Sequence, residues 1–125
     1  MWLFLLAAGG GAIGAGARYL VNVGCAACLG STFPWATLGV NVSGSFLMGL
    51  MAALLPPGDG SAEWRTFLGT GILGGFTTFS AFSIEAWQLL ERQQVALGAA
   101  YICASVVMAI AGLAAGLAAA RALMS

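Results

Sequence analysis

The sequence predicts an all-α integral membrane protein with four transmembrane helices, the third of which is broken. Of the 125 residues, 61% are hydrophobic and 6% are charged, whereas soluble domains carry roughly 25% charged residues. Four apolar runs are long enough to cross a bilayer core, which takes about 20 residues. The third run is unusual because Gly, Thr and Ser replace much of the Leu, Ile and Val expected in lipid. At this length we expect a single domain over residues 1–125.

Loop signals place the four spans at residues 2–29, 35–55, 65–90 and 95–123. The first span lacks a basic leading segment, so we expect it to be retained rather than cleaved as a signal peptide. Phe33-Pro34-Trp35 is typical of a turn with interfacial aromatics, residues 56–61 form the plainest loop, and residues 91–94 form a short polar turn. The four tryptophans fall near span ends, where their rings favour the headgroup level: Trp2, Trp35, Trp64 and Trp87.

The arginines are balanced across the membrane. With spans of alternating direction, Arg65 and Arg121 lie on one side, and Arg18 and Arg92 lie on the other. Because a Lys/Arg imbalance normally sets orientation, this balance predicts insertion in both directions and an antiparallel homodimer. The alternative is that four residues are too few to count. A net charge of zero argues against nucleic acid or an anionic lipid surface as the partner.

Small residues four apart recur along the spans and predict a tightly packed bundle. Lipid gives helices no hydrophobic reason to associate, so close approach through small residues must hold them together. The five pairs are Gly10 and Gly14, Gly39 and Ser43, Ser45 and Gly49, Gly71 and Gly75, and Gly112 and Gly116.

The stretch from Gly69 to Glu85 contains the predicted break. It combines glycines at 71, 74 and 75 with hydroxyls at 77, 78, 80 and 83. Backbone polar groups in lipid must be satisfied internally, so an interrupted helix survives only inside protein or beside a polar cavity. Freed carbonyls can hold a cation, and freed amides and hydroxyls can face an anion.

Polar and aromatic residues near this stretch are candidates for an ion path. Asn41 shares a helical face with Thr37 and Ser45, so it lies either in a polar track or in a contact between helices. Phe79 and Phe82 share a face three residues apart. Such pairs usually pack in cores, but their positive ring edges can also contact an anion.

Two charged residues in the spans have open roles. Arg18 either snorkels to the interface or makes an electropositive mouth for an anion. Glu85 is a proton relay, an arginine partner or an interfacial residue. One carboxylate cannot separate these three possibilities.

The cysteines allow a second function class. Cys25 and Cys28 have the spacing of a redox pair, and the alternative hypothesis is a membrane thiol oxidoreductase. Such an enzyme normally needs a second pair, and Cys103 is the one cysteine left. We therefore favour small apolar filler. With no His in the chain, a tetrahedral metal site is not expected.

Three motifs in order resemble the CrcB/Fluc family of bacterial fluoride channels over nearly the whole chain. They are Arg18-Tyr19 in a glycine-rich first span, then Pro34-Trp35-Ala36-Thr37-Leu38-Gly39-Val40-Asn41, and Gly74-Gly75-Phe76-Thr77-Thr78-Phe79-Ser80-Ala81-Phe82-Ser83-Ile84-Glu85. The resemblance implies a passive fluoride channel of the inner membrane that lowers fluoride toxicity, rather than an enzyme. It also implies an antiparallel dimer with two pores.

The resemblance further implies roles for individual residues. The fluoride pore would be lined by Asn41, Thr78, Phe79, Ser80, Phe82, Tyr101 and Ser105. Arg18 would lie near the vestibule, and the backbone carbonyls of Gly74 and Thr77 would hold a structural Na⁺ at the two-fold axis. Three alanines depart from the family pattern. Ala81 stands where the family usually has Thr, Ala36 where many members have Gly, and Ala109 where some members carry a further hydroxyl.

Two further hypotheses compete with a channel. A small multidrug-resistance transporter also has four spans, but it needs a carboxylate in its first helix, and span one has none. A non-transporting assembly subunit would have no use for the broken third span.

Overall fold

The computed structural model describes residues 1–58 and 60–125 as an all-helical chain. Its helices are α1 (Trp2–Leu29), α2 (Trp35–Leu54), α3 (residues 62–76), α4 (Phe79–Glu91) and α5 (Val95–Met124). The four predicted spans are confirmed to within three residues at each end. Four segments are long and apolar enough to cross a membrane: Trp2–Leu29, Trp35–Leu54, Ala62–Glu91 and Val95–Met124. Asp59, in the predicted loop at 56–61, lies outside the described residues.

The third span is interrupted between α3 and α4. Thr77 and Thr78 both have extended backbone, with ψ angles of 158° and 121°. Gly74 and Gly75, which belong to the predicted break, remain helical. The interruption is therefore confined to the two threonines.

Most of α3 is wound more widely than an ordinary α-helix. Residues Arg65–Leu73 form a π-helix, and the N–H of Gly74 still donates to the carbonyl five residues earlier, at Gly69. π-helical turns are rare and occur frequently at functional sites. At the start of α3, Arg65 Nη1 donates to the Leu55 carbonyl over 3.2 Å and so ties this helix to the end of α2.

Glycines let the helices pack in two close pairs, α1 with α3 and α2 with α5. A Cβ added to Gly14 would overlap the carbonyl oxygen of Ile72, and one added to Gly116 would overlap that of Phe46. Gly39 instead has open space around its Cα. The predicted close packing therefore holds at four of the five small-residue pairs, namely those at Gly10, Gly49, Gly71 and Gly112.

A small buried core joins α2, α4 and α5 at one end of the bundle. Its members are Leu38, Phe82, Ala86, Leu89 and Tyr101, and Phe33 and Val42 pack against them. This core fixes the first turns of α4 relative to α2 and α5, and so places the broken segment between those two helices.

We expect Gly14→Ala to destabilise the folded protein by about 1–3 kcal/mol, because the new methyl group has to push the α3 backbone away. Thermal unfolding in detergent measures the effect. Gly16→Ala is the matched control, since the same methyl group on the same helix would meet nothing within 4 Å. Equal melting temperatures for the two variants would contradict the close contact between α1 and α3.

Candidate functional site

The side chain of Asn41 on α2 holds the broken segment in place. Its Nδ2 donates to the Thr78 carbonyl over 2.9 Å, and its Oδ1 accepts from the Thr78 N–H over 2.8 Å. The amide therefore pairs with both polar groups of one residue, as a neighbouring strand would. One hydrogen of the Asn41 amide remains for another acceptor. Asn41 thus ties α2 to the broken segment, and it also lines the cavity beside the break.

Thr78 also begins α4. Its Oγ1 accepts from the N–H of Ala81 over 3.2 Å, which satisfies one donor in the first turn of the helix. The same Oγ1 lies 3.3 Å from Oγ of Ser80, within hydrogen-bonding distance. Ala81, one of the three departures from the family pattern, thus contributes its backbone here. Ser80 is exposed.

Two carbonyls at the break lose their usual helical partners. In an unbroken helix the Gly74 carbonyl accepts from the N–H of residue 78, and the Thr77 carbonyl accepts from that of residue 81. Here the first N–H donates to Asn41 and the second to the Thr78 hydroxyl. The carbonyls of Gly74 and Thr77, the expected Na⁺ ligands, are therefore among those that lose their helical donors at the break.

A cavity that we call the chamber lies beside the break, between α2, α4 and α5. It has a volume of about 340 Å³. The residues predicted for a pore that line it are Asn41, Thr78, Phe79, Phe82 and Ser105; Thr77 and Ala109 line it as well. Side chains far apart in the sequence thus converge on one space.

Ser105 faces the chamber without a partner. Its side chain is 6% exposed, and among the described residues its Oγ is the buried side-chain polar atom that lacks a hydrogen bond. Buried polar groups are nearly always paired, and an orphan among them requires an explanation. Because this hydroxyl lies on the chamber wall, it is free to form a hydrogen bond with an ion or molecule inside the chamber.

The two phenylalanines form the aromatic wall of the chamber. Their ring centroids are 5.3 Å apart, and the rings are tilted by 49°. Phe82 belongs to the core and is 9% exposed, whereas Phe79 is 77% exposed. Phe79 therefore presents its ring on the open side of a mostly apolar cavity.

Glu85 lies behind the chamber wall in a cluster of hydroxyls. Its Oε1 accepts from Thr37 over 2.7 Å and its Oε2 accepts from Tyr101 over 2.8 Å. The two donors are 3% and 0% exposed. Of the two residues of α5 predicted for the pore, Tyr101 donates its hydroxyl to Glu85 and Ser105, one turn later, lines the chamber. Helical spacing links Thr37 only to Asn41, and no local pattern in the sequence connects it to Glu85.

A second cavity, which we call the vestibule, opens on the other side of this cluster. It also measures about 340 Å³. Its polar lining comes from Asn22, Ser31, Thr32, Glu85, Gln88 and Arg92, and its apolar lining includes Phe33, Ala36 and Cys25. Arg18 is half-buried one turn before Asn22 on α1. The sequence predicts Phe33 as an interfacial aromatic residue, and no local pattern in the sequence indicates that it lines a cavity.

The three cysteine thiols are free. Cys25 is half-buried, and Cys28 and Cys103 are exposed. Cys25 and Cys28 lie one turn apart near the end of α1.

Comparison with known proteins identifies the family. Residues 5–117 match the family model CrcB-like protein, Camphor Resistance (CrcB). A protein of Rhodospirillum centenum named fluoride-specific ion channel FluC is 49% identical over 119 residues, covering 94% of each chain. Proteins of the same name from Agrobacterium fabrum and Cereibacter sphaeroides are each 53% identical, over 93% of this chain and 94% and 92% of theirs. The chain belongs to the CrcB family.

Proposed function

We propose that this chain is a fluoride-selective channel, a multi-pass protein of the bacterial inner membrane that releases fluoride passively and so lowers its toxicity. Relatives that share about half of their residues with it carry that name. The observation that carries the proposal is the chamber, where a buried unpaired hydroxyl, an amide and two phenylalanine rings surround one space.

The chemistry of the chamber suits a small, strongly hydrated anion. Fluoride must exchange its water shell for other donors to cross the hydrocarbon core. The second amide hydrogen of Asn41 and the hydroxyl of Ser105 are such donors, and the ring edges of Phe79 and Phe82 carry partial positive charge. No lysine is present in the sequence to bind the anion tightly. A pore must bind an ion well enough to admit it and weakly enough to release it.

The working unit in this proposal is an antiparallel homodimer. Two observations support it, the equal division of arginines between the two ends and the exposed ring of Phe79 at the open chamber. A second copy, inverted in the membrane, would cover that ring and complete each pore. Lipid would then contact the outer helix faces.

A structural Na⁺ fits the same arrangement. The carbonyls of Gly74 and Thr77, released from their helical partners, are ligands of the kind that Na⁺ takes from unwound membrane helices. Both copies would contribute them at the two-fold axis. When bound, the ion supplies positive charge that offsets the converging carbonyl dipoles.

We predict that purified protein in liposomes releases fluoride down its gradient, with little chloride following. Ion-selective electrodes for the two anions measure this directly in paired vesicles. With valinomycin present so that K⁺ leaves together with the anion and balances its charge, collapsing the proton gradient should leave the fluoride rate unchanged, because the channel is passive. Release that requires a proton gradient would indicate a carrier, and activity that depends on Cys25 and Cys28 would indicate a redox enzyme.

We predict that Phe79→Ile lowers the fluoride rate by about 10-fold or more, since an aliphatic side chain has no positive edge to replace water. The same liposome assay measures it. Phe4→Ile is the matched control, because Phe4 is also largely exposed, at 68%, but lies on α1 away from the chamber. Both variants should keep the mass of a dimer by light scattering. Equal fluoride rates for Phe79→Ile and Phe4→Ile would show that the Phe79 ring is not part of the ion path.

A further inference from the structure

Four aromatic rings form a continuous row from the vestibule to the chamber. In order they are Phe33, Tyr101, Phe82 and Phe79, with ring centroids 5.5, 5.4 and 5.3 Å apart. The first ring lines the vestibule and the last two line the chamber. Tyr101, between them, is fully buried. The row is therefore part of the wall that separates the two cavities.

Phe33 is the member of this row that comes from a loop. It lies between α1 and α2, directly before Pro34, and its half-buried side chain packs on the core that contains Tyr101. The planes of the two rings stand at 84°, an edge-to-face arrangement. Such contacts are directional, so they fix how one ring is turned relative to the other.

The orientation of Tyr101 matters because its hydroxyl is bound to Glu85. That carboxylate lines the vestibule, and its other oxygen is held by Thr37. A ring that tilted away from this contact would carry the hydroxyl off the carboxylate. It would leave that anionic oxygen unpaired at the vestibule, where it would repel an entering anion. Phe33 packs against Tyr101 from the vestibule side, and Phe82 packs against it from the chamber side.

A purely interfacial role explains Phe33 less well. Its neighbour Trp35, 4.5 Å away between ring centroids, is 48% exposed, as expected of a residue at the headgroup level. Phe33 is turned inward instead, onto the buried tyrosine.

We infer that Phe33 is a positioning residue for ion passage, which holds the Tyr101 ring so that its hydroxyl stays on Glu85. The inference rests on the proposed fluoride channel. It assigns a role in conduction to the loop between α1 and α2, in addition to that of the broken third span.

A double-mutant cycle on fluoride efflux from liposomes tests the inference. Phe33→Leu removes the ring but keeps apolar bulk, and Tyr101→Phe removes only the hydroxyl. Each change should slow efflux by roughly tenfold, and the double variant should be no slower than either single one, because the two residues act through one contact. Phe33→Tyr, which keeps a ring, should restore most of the rate, and Phe4→Leu should match wild type.

The outcomes separate this inference from the proposed function. Suppose that the wild-type protein releases fluoride. If Phe33→Leu then releases it at the wild-type rate, or if the effects of the two single changes multiply in the double variant, the role of Phe33 is overturned and the channel function still stands. Wild-type protein that moves no fluoride overturns both. If Phe33→Leu yields no dimer by size exclusion, Phe33→Met replaces it, with the same expected loss of rate and the same non-additivity.

Discussion

The pairing of Asn41 with Thr78 is the interaction on which the rest of the site depends. In hydrocarbon an unpaired peptide group costs several kcal/mol, so a helix can be broken there only where other groups replace its hydrogen bonds. Asn41 satisfies the N–H and the carbonyl of Thr78 together, and the Thr78 hydroxyl satisfies the amide at the start of α4. These three bonds allow two threonines to be extended inside a membrane span.

The surrounding packing converts that local interruption into a site. Glycines bring α3 against α1 and α5 against α2 at backbone contact, so the helices that flank the break have little freedom to move apart. The buried core around Tyr101 fixes α4 after the break. This rigid frame sets the position of the two extended residues, Thr77 and Thr78. From that position follow the chamber, the unpaired hydroxyl of Ser105 and the released carbonyls of Gly74 and Thr77.

Much of the fold could be predicted from the sequence, because span length and loop residues are local signals. Among the chamber residues, the sequence itself made Asn41 and Phe79 candidates for an ion path, whereas Ser105 was predicted only through the family resemblance. The contacts of Glu85 could not be predicted, since its partner Thr37 is 48 residues away and only the packing of α2 against α4 and α5 joins them. The extent of the break could not be predicted from local signals either, because glycines at 74 and 75 suit both an interruption and a close helix contact. In the folded chain both are helical, and Gly75 makes the close contact with α1.

Residue-resolved amide hydrogen exchange at Thr78, measured by NMR on the purified protein, tests the central interaction most directly. The Thr78 N–H should be protected in the wild type and should exchange at least about fivefold faster in Asn41→Ala, since loss of a buried partner costs about 1–3 kcal/mol. The amide of Trp87, inside α4, should be unchanged and serves as the internal reference. If Thr78 exchanges at the same rate in both proteins, Asn41 does not hold the break, and the dependence of the site on this pair is contradicted.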